Sequence, residues 1–488
     1  MAWRENGWLL AGAAVVFPPL GLLFVWLSRT RTVWRKLLWT VPVVLLGVAH
    51  LFLFWGMRLQ SDGTGVPRFA TFERPEKHYQ AIEKRVVEER KVEPAPTPEP
   101  VPAAPAPWPS YLGANRDAHY ASGPILTAWP EKGLTQLWRR PIGGGYPSMI
   151  VAEGKVFTIE QRRDQEVLAA YDMASGREVW TVAWKGFFQE SMGGDGPRAT
   201  PTYDEGRVYA LGAQGEFRCV QASNGKVLWS KNILSENGAS NLQWGMASSP
   251  LVVDDQVVVL PGGSSGNSVV SYDKRTGATK WRALDDKAAY TAPMIATLAG
   301  ERQVVVVTAA RAVGLTLGGK LLWEFPWKTD YDVNAAQPVV AGPDGLVLAA
   351  GYDHGTALVE ISRDGDKFAA RQVWFSKSMK AKFNTPVVKD GVLYGLDEGI
   401  FAAVDVATGQ RKWKGGRYGY GQVLLAGDHL VILTEAGEVV LVKTNPDRLE
   451  EIARFEALSG KTWNPPAIAD GKLLVRNTTE MACYRIAP

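Results

Sequence analysis

The 488-residue sequence has little cysteine, little histidine and almost no net charge. Its two cysteines are too few for a disulfide-stapled scaffold, a cysteine-based zinc site or a Cys-x-x-Cys-His haem attachment. Lys and Arg number 54 against 50 Asp and Glu, and the net charge of +4 lacks the basic excess of a nucleic-acid-binding protein. We therefore expect no nucleic-acid partner. The abundant residues are glycine (50) and tryptophan (19), which together are typical of many short strands joined by tight turns.

Residues 1–57 have the pattern of a membrane hairpin. Residues 8–28 and 37–55 contain no charged side chain, and each run is long enough to cross a hydrocarbon core about 30 Å thick as a helix. Four cations lie between them in residues 29–36, which the positive-inside rule places in the cytoplasm. Pro18 and Pro19 predict a kink in the first run. We expect two transmembrane helices in a bacterial inner membrane, with the N-terminus and everything after the hairpin on the periplasmic side.

Residues 58–107 are expected to form a stalk. Residues 73–93 are dense in Glu, Lys and Arg, which predicts a solvated helical segment; a helix docked on the following domain is the alternative. In residues 94–109 proline alternates with Ala, Val, Thr and Glu, a composition typical of a semi-stiff polyproline spacer. The stalk would hold the C-terminal domain away from the bilayer.

The rest of the chain repeats one unit, marked by the spacing Gly-x-x-x-Trp. The pattern recurs at Gly176/Trp180, Gly225/Trp229, Gly277/Trp281, Gly319/Trp323 and Gly409/Trp413. Looser copies place an aromatic residue at the same point of the unit, so that eight marks follow one another at intervals of 39 to 52 residues. The eight structural aromatics are Trp138, Trp180, Trp229, Trp281, Trp323, Trp374, Trp413 and Phe455.

Each repeat predicts four short antiparallel strands, which is one blade of a β-propeller. Eight marks predict an all-β domain of eight blades over residues 108–488. The chain enters this domain through an isolated Trp strand, 134–141, and ends without one. We expect the entering strand to complete the last blade and close the ring, leaving no open sheet edge.

The turn before each Trp has a mechanical explanation. In the first unit, Asp172 can accept backbone N–H groups across the turn, and Gly176 supplies a positive φ angle. Trp180 is expected to pack between neighbouring blades, as are its counterparts. Tryptophan richness is therefore mostly structural, since a Trp that holds two blades together serves the fold.

These motifs resemble a known family. Asp-x-x-(Ser/Thr)-Gly-x-x-x-Trp, as in residues 172–180, 273–281 and 405–413, resembles the repeat of the pyrroloquinoline quinone (PQQ)-like propellers, which include quinoprotein alcohol dehydrogenases and the assembly lipoprotein BamB. The segment that begins Trp-Pro-Ser-Tyr-Leu-Gly at Trp108 is similar to that of a membrane-anchored bacterial branch of the family. The resemblance implies the propeller fold over residues 108–488. It implies no single activity, because the family mixes enzymes with binding scaffolds.

The enzymatic members, as the resemblance describes them, use PQQ held against adjacent cysteines and a Ca²⁺ ion bound by Glu, Asn and Asp. This chain has no adjacent cysteines, although carboxylates such as Glu190 lie on the predicted inter-blade loops. Asn384 and Asn464 stand just before strand-opening prolines, where each could point inward or cap a loop. We expect no metal and no cofactor, with PQQ and Ca²⁺ required only under the dehydrogenase alternative.

The longer connections between blades are expected on one face of the disc, and they are rich in aromatic and cationic residues. Aromatics with Arg and Lys are typical of protein-recognition hot spots. We expect an inner set to fill the axis and an outer set to form a partner surface; a glycan or peptide sensor in the channel would use the same residues. The candidates for this face are Trp244, Trp327, Tyr331, Lys382, Asn384, Arg417, Tyr418, Tyr420, Trp463 and Asn464.

The hypothesis from sequence is a membrane-anchored periplasmic propeller that binds an envelope protein on its loop face and has no catalysis of its own. The alternative is a PQQ- and calcium-dependent dehydrogenase of alcohols or sugars that donates electrons to membrane quinone.

Overall fold

The computed structural model describes residues 7–55, 57–71, 75–91 and 106–488. They fall into two units, one of residues 1–61 and 66–78 and the other of residues 62–65 and 79–488. Most of the predicted polyproline spacer lies outside the described residues.

The first unit begins with three helices and a short hairpin. The helices are α1 (Gly7–Val16), α2 (Pro18–Leu27) and α3 (Val33–Leu53), and the hairpin strands are β1 (Arg58–Ser61) and β2 (Pro67–Thr71). Among the described residues, α3 is the helix that is long and apolar enough to cross a membrane.

The predicted first span is not one helix. Phe17 has φ −147° and ψ 89°, outside the helical region, and Pro18 and Pro19 begin a new helix there. A Cβ atom added at Gly21 of α2 would lie 2.7 Å from the Cα atom of Ala14 in α1. In one straight helix these residues would be roughly 10 Å apart along the axis, so α1 folds back against α2. The prediction of a two-helix hairpin is therefore wrong for residues 8–28, because small residues allow the break at the prolines to become a turn.

The charged segment forms helix α4 (Pro75–Lys91), and from Tyr79 onward it belongs to the second unit. Ile82 is buried, Glu83 pairs with Arg163 at 2.8 Å, and Arg85 donates to the carbonyl oxygen of Pro141 at 3.0 Å. This part of the expected stalk is thus the docked helix of the alternative interpretation.

Residues 106–488 form eight sheets with the antiparallel four-strand order of propeller blades, as predicted. Before the first complete blade come β3 (His119–Tyr120) and β4 (Gln136–Pro141). The first four blades are β5–β8 (Ile150–Ala152, Lys155–Arg162, Gln165–Asp172, Glu178–Lys185), β9–β12 (Thr202–Asp204, Arg207–Leu211, Glu216–Gln221, Val227–Asn232), β13–β16 (Leu251–Val253, Gln256–Val259, Val269–Asp273, Thr279–Ala283) and β17–β20 (Met294–Leu298, Glu301–Val307, Arg311–Leu315, Leu321–Pro326).

The other four blades follow the same order. They are β21–β24 (Val339–Val340, Gly345–Ala350, Gly355–Asp364, Lys367–Ser376), β25–β28 (Val387–Lys389, Val392–Asp397, Ile400–Asp405, Arg411–Arg417), β29–β32 (Gln422–Ala426, His429–Leu433, Glu438–Lys443, Glu450–Glu456) and β33–β35 (Ala467–Ala469, Lys472–Arg476, Glu480–Arg485), with β4 as the outer strand of the eighth. β3 adds a parallel strand to the inner edge of the seventh blade. Short helices, α5 (Ile233–Glu236) and a 3₁₀ turn (Asp330–Asp332), lie between blades.

The aromatic marks lie on the outer strands, and their rings contact the next blade. Trp138 donates its indole N–H to the carbonyl oxygen of Met173 at 3.1 Å, and Trp180 donates to that of Ala222 at 3.0 Å. The aromatic ring of the preceding blade packs on the repeat glycine. At Gly176, for example, an added Cβ atom would lie 2.7 Å from the ring of Trp138. The repeat spacing therefore links each blade to the one before it.

Replacing Gly176 with alanine is expected to destabilise the protein more than replacing Gly154 with alanine. Both glycines have similar backbone angles, φ +69° and φ +67°, so both variants carry the cost of a left-handed alanine, about 1–2 kcal/mol. Only at Gly176 does the added methyl group also meet a tryptophan ring, since nothing lies within 4 Å at Gly154. Overpacking adds about 1–3 kcal/mol. Urea unfolding of the two full-length variants measures the difference; equal midpoints would contradict the role assigned to the ring contact.

Candidate functional site

A cavity of about 180 Å³ opens on the propeller axis, at the end of the blades where the inter-blade connections lie. Aromatic rings form much of its wall: Tyr111, Tyr146, Trp244, Tyr290, Tyr352, Phe383 and Trp463. Several of these rings touch one another; Phe383 and Trp463, for example, have centroids 4.8 Å apart. We call this space the axial pocket.

Most of these rings occupy one position in the repeat. Tyr146, Tyr290, Phe383 and Trp463 each lie four residues before the innermost strand of a blade, where the chain arrives at the axis. A connection that starts at the outer rim must cross to the axis there, which brings these residues from different blades together. An aromatic residue four positions before an inner strand is thus a sequence signal for the pocket wall, although Tyr418, at the same distance before β29, bonds to Glu451 and does not line the pocket.

One segment outside the blades also lines the axial pocket. The segment 108–118 precedes β3: Trp108 exchanges backbone hydrogen bonds with Val151 of the first blade, and the Ala118 carbonyl oxygen accepts from Leu425 of the seventh. Tyr111, between them, lines the pocket. The guanidinium of Arg116 donates to the carbonyl oxygens of Ser249 (3.1 Å), Pro293 (2.8 Å) and Pro250. Ser249 and Pro250 precede the third blade and Pro293 precedes the fourth, and Arg116 also donates to Thr202 Oγ1 of the second blade at 3.2 Å. One buried side chain thus joins three consecutive blades. Burial lowers the pKa of Arg116 to about 9.

Three cations line or border the pocket, and each is already engaged. Lys461 donates to the carbonyl oxygen of Met192 at 2.9 Å and lies 4.0 Å from the centre of the Trp463 ring. Its side chain is buried, and burial lowers its pKa to about 8. Lys382 lies 4.3 Å from the centre of the Tyr352 ring, and burial lowers its pKa as well. Arg198 pairs with Glu190 at 3.2 Å.

Two carboxylates of the pocket region, Glu190 and Glu435, accept several hydrogen bonds from the protein. Glu190 accepts the backbone N–H groups of Met192 (2.6 Å), Gly193 and Gly194 (3.1 Å) in addition to Arg198. Glu435, which is 3% exposed, accepts the Trp463 indole N–H at 2.8 Å through Oε1 and the Tyr420 N–H at 3.2 Å through Oε2. Each of the four carboxylate oxygens therefore already accepts at least one hydrogen bond from the protein.

Polar side chains other than these carboxylates are the remaining candidates for holding a metal ion in this region. Within the described ranges, no group of three His, Cys, Asp or Glu side chains is placed to share a metal ion. Asn464 donates to the carbonyl oxygens of Gly145 and Pro147, so it caps a loop. Asn384 is buried, and its amide has no partner among the described residues.

The predicted face residues divide into three groups. Trp244, Lys382 and Trp463 line the axial pocket, and Tyr420 packs beside it against Phe383 with centroids 5.8 Å apart. Tyr331 and Arg417 are exposed, with 82% of the tyrosine accessible.

Trp327 and Tyr418 differ from the expectation of a surface position. Trp327 is 4% exposed, and its ring centroid lies 4.6 Å from that of His354 in the blade core. The Tyr418 hydroxyl donates to Glu451 at 2.7 Å. Each follows directly on the end of an outer strand. Trp327 lies twelve residues before the next inner strand, whereas Tyr418 lies only four residues before β29 because that connection is short. Both side chains pack between blades, and neither lines the pocket.

The pocket also receives a piece of the N-terminal region. The turn Asp62–Gly65, which joins β1 to β2, belongs to the same unit as the propeller, and Gly63 lines the pocket. The Gly63 N–H donates to Glu435 Oε1 at 2.8 Å, and Lys382 donates to the Gly63 carbonyl oxygen. Sequence reasoning missed this turn, Glu435 and Tyr146, because no local pattern connects residues hundreds of positions apart.

Comparisons with known proteins agree with this architecture. The solved structure of BamB from Moraxella catarrhalis superposes with a TM-score of 0.52 at 14% identity, covering 72% of this chain and 99% of that one. Quinohemoprotein alcohol dehydrogenase from Comamonas testosteroni gives 0.56 at 12% identity, covering 84% of each chain. ADHIIG from Pseudomonas putida HK5, another quinohemoprotein alcohol dehydrogenase, gives 0.58 at 13% identity, covering 78% of this chain and 80% of that one.

At these identities the structural likeness establishes the fold alone. No curated protein is a significant sequence match to the chain. The family model described as outer membrane protein assembly factor BamB matches residues 163–415, which is more than half of the sequence. The chain therefore belongs to this family of PQQ-like β-propellers.

Proposed function

We propose that this protein is a binding scaffold of the bacterial cell envelope, which holds a segment of a partner protein in the axial pocket and catalyses no reaction. The observation that carries the proposal is the turn Asp62–Gly65: a peptide segment is seated in the pocket by hydrogen bonds to its main chain. Aromatic and cationic side chains, which line or border this pocket, are enriched at the hot spots of protein-binding surfaces. The family name, an outer membrane assembly factor, agrees with a scaffold role.

The dehydrogenase alternative is less well supported by the pocket residues. Glu190 lines the pocket and Glu435 accepts from Trp463 and Gly63, which also line it, and protein donors are bonded to both carboxylates. A Ca²⁺ ligand set would have to break the Trp463 and Gly63 bonds to Glu435, or release Arg198 from Glu190. A buried carboxylate that loses its donors is costly, so such a rearrangement is unfavourable.

We further propose that α3 anchors the protein in the inner membrane. Arg29 and Arg31 precede α3, and Arg35 and Lys36 lie in its first turn, so the positive-inside rule places the start of α3 in the cytoplasm and the propeller in the periplasm. Helices α1 and α2 have ten residues each, or about 15 Å, which is half of the hydrocarbon thickness. Because α1 folds back on α2, this pair enters and leaves the membrane on one side. The N-terminus would then be cytoplasmic, in contrast to the topology expected from sequence.

The experiment that tests the scaffold proposal places a photo-crosslinking amino acid at Trp244, in the pocket wall, of the full-length protein in its native membrane. The control position is Ser223, exposed in the turn at the opposite end of the blades, between β11 and β12. We expect protein adducts from position 244 and few or none from position 223, with the protein retained in the membrane fraction after an alkaline wash.

A titration with PQQ and Ca²⁺ tests the dehydrogenase alternative. Purified full-length protein is mixed with PQQ and Ca²⁺ while tryptophan fluorescence is followed. We expect no saturable quenching. Saturable binding that a chelator reverses, together with dye reduction in the presence of an alcohol or sugar, would overturn the scaffold in favour of the dehydrogenase.

A further inference from the structure

The contacts of the turn Asp62–Gly65 are specific for a main chain and not for a side chain. Glu435 accepts the Gly63 N–H, and Lys382 donates to the Gly63 carbonyl oxygen, so both main-chain polar groups of Gly63 are hydrogen-bonded by the pocket. Trp463 holds the same Glu435 oxygen at 2.8 Å, and the Lys382 ammonium lies near the rings of Tyr352 and Tyr420, 4.3 and 5.1 Å from their centres. The two side chains that bind Gly63, Glu435 and Lys382, are thus held in place by aromatic residues in and beside the pocket wall.

The position of Gly63 admits no side chain. A Cβ atom built there would lie 2.2 Å from the ring of Tyr420, and within 2.8 Å of its Cβ atom. The ring is 6% exposed and stacks against Phe383, so it has little room to move away. The recess therefore selects glycine through steric exclusion.

The turn is also held in shape by its own residues. Asp62 Oδ1 accepts the backbone N–H of Thr64 at 2.8 Å and its hydroxyl, which is an Asx turn around Gly63. Gly65 has φ +87°, a value that favours glycine. The bound element is a pre-formed Asp-Gly-Thr-Gly turn.

The turn fills only one side of the axial pocket. Its direct polar contacts are with groups from the sixth and seventh blades, whereas Trp244 and Tyr290 belong to connections on the other side of the axis. A ligand that used the whole aromatic wall would have to enter where Gly63 lies, because Gly63 lines the same cavity. Occupancy by the turn and by such a ligand is therefore mutually exclusive.

We propose that the axial pocket recognises an Asx-Gly turn presented by a partner polypeptide, and that Asp62–Gly65 is a tethered competitor that occupies the pocket until the partner displaces it. This inference rests on the proposed scaffold function and specifies the partner's chemistry: a glycine preceded by Asp or Asn, with an exposed N–H and carbonyl. A tethered ligand acts at an effective concentration of about 1 mM, so a free turn must overcome it to bind.

The test uses the full-length protein in detergent and a fluorescent cyclic peptide with the sequence Ser-Asp-Gly-Thr-Gly-Val. Gly63→Val cannot seat its own turn, and we expect it to bind the peptide at least ten-fold more tightly than the wild-type protein, as measured by fluorescence polarisation. Asp62→Ala, which removes the turn's cap without adding bulk, is expected to shift affinity in the same direction. Leu59→Ala, at an exposed position of β1, serves as the matched control and should bind as the wild type does.

Two further measurements establish where and how the peptide binds. A peptide with valine at its first glycine should not bind Gly63→Val, and adding Lys382→Met to Gly63→Val should abolish peptide binding. Equal peptide affinity in Gly63→Val, Asp62→Ala and the wild type would overturn the proposal, as would binding of the valine peptide.

Failure of this inference is separable from failure of the scaffold proposal. If adducts from position 244 persist in Gly63→Val while the cyclic peptide fails to bind, the pocket holds a partner but does not read an Asx-Gly turn. If the adducts are absent from both proteins and PQQ binds, the scaffold proposal and this inference fail together.

Discussion

Arg116→Met is expected to lower the free energy of unfolding by about 3 kcal/mol. The Arg116 guanidinium is buried and donates to Ser249, Pro250 and Pro293 carbonyls, with Thr202 Oγ1 3.2 Å away. Removing it leaves the Ser249 and Pro293 carbonyl oxygens without this donor, at about 1–3 kcal/mol each, whereas the Pro250 oxygen keeps the Thr202 hydroxyl, which donates to it at 2.6 Å. The loss is partly offset because the variant no longer buries a charge, which itself costs several kcal/mol. The net effect remains large because two buried acceptors lose this donor at once.

The measurement is the urea midpoint of full-length protein followed by tryptophan fluorescence. Arg116→Lys should recover less than half of the stability that Arg116→Met loses. A single ammonium group cannot reach acceptors from different blades as the planar guanidinium of arginine does. Arg417→Met is the matched control, because Arg417 is exposed and surface substitutions usually change stability by less than about 0.5 kcal/mol. A midpoint for Arg116→Met equal to that of the control would show that the axial segment adds nothing to blade cohesion.

The propeller could be predicted from sequence because its signal is local and mechanically required. The turn of Asp172 and Gly176 is held by a Ser175 N–H bond of 2.8 Å to Asp172, all within five residues. The same spacing must recur wherever an outer-strand ring packs on the next blade, so the number of blades follows from the number of repeats.

The axial pocket could be predicted only in part. An aromatic residue before an inner strand reaches the axis, as Trp463 does, whereas one after an outer strand packs between blades, as Trp327 does. Composition does not separate these two positions, and the sequence prediction grouped them together. The separation follows from the direction in which each connection crosses the disc.

Contacts between distant segments were beyond the reach of sequence patterns. Nothing near Gly63 indicates that Glu435, 372 residues later, accepts its N–H group. Arg116 likewise has the local pattern of a surface arginine beside Asp117, and its burial depends on carbonyls presented by two different connections. Such contacts are defined by the closed ring and exist only once the blades are assembled.

Closure of that ring predicts a second large effect, at Arg476. Strand β4 completes the eighth blade, and Gly133, just before it, packs on Phe455 of the seventh blade as a repeat glycine packs on a Trp. Between the eighth and first blades, Arg476 donates to Thr158 Oγ1 at 2.6 Å and to the Ile159 carbonyl oxygen at 3.1 Å. It also reaches the Gly143 carbonyl oxygen at 3.1 Å, so it joins the last blade to the first.

Arg476→Met is expected to cost about 3–5 kcal/mol, because it removes the donor for several buried acceptors and the positive charge that faces buried Glu160. Burial lowers the pKa of Arg476 to about 10, so the side chain is still a cation at neutral pH. Since the first and last blades meet at this seam, limited proteolysis of the variant should begin there, whereas Arg116→Met should loosen the second to fourth blades. Protease sites at the seam in Arg476→Met, mapped by mass spectrometry, test this distinction. A common cleavage pattern in both variants would show that the ring opens as a whole, and that Arg476 is not the contact that keeps its two ends together.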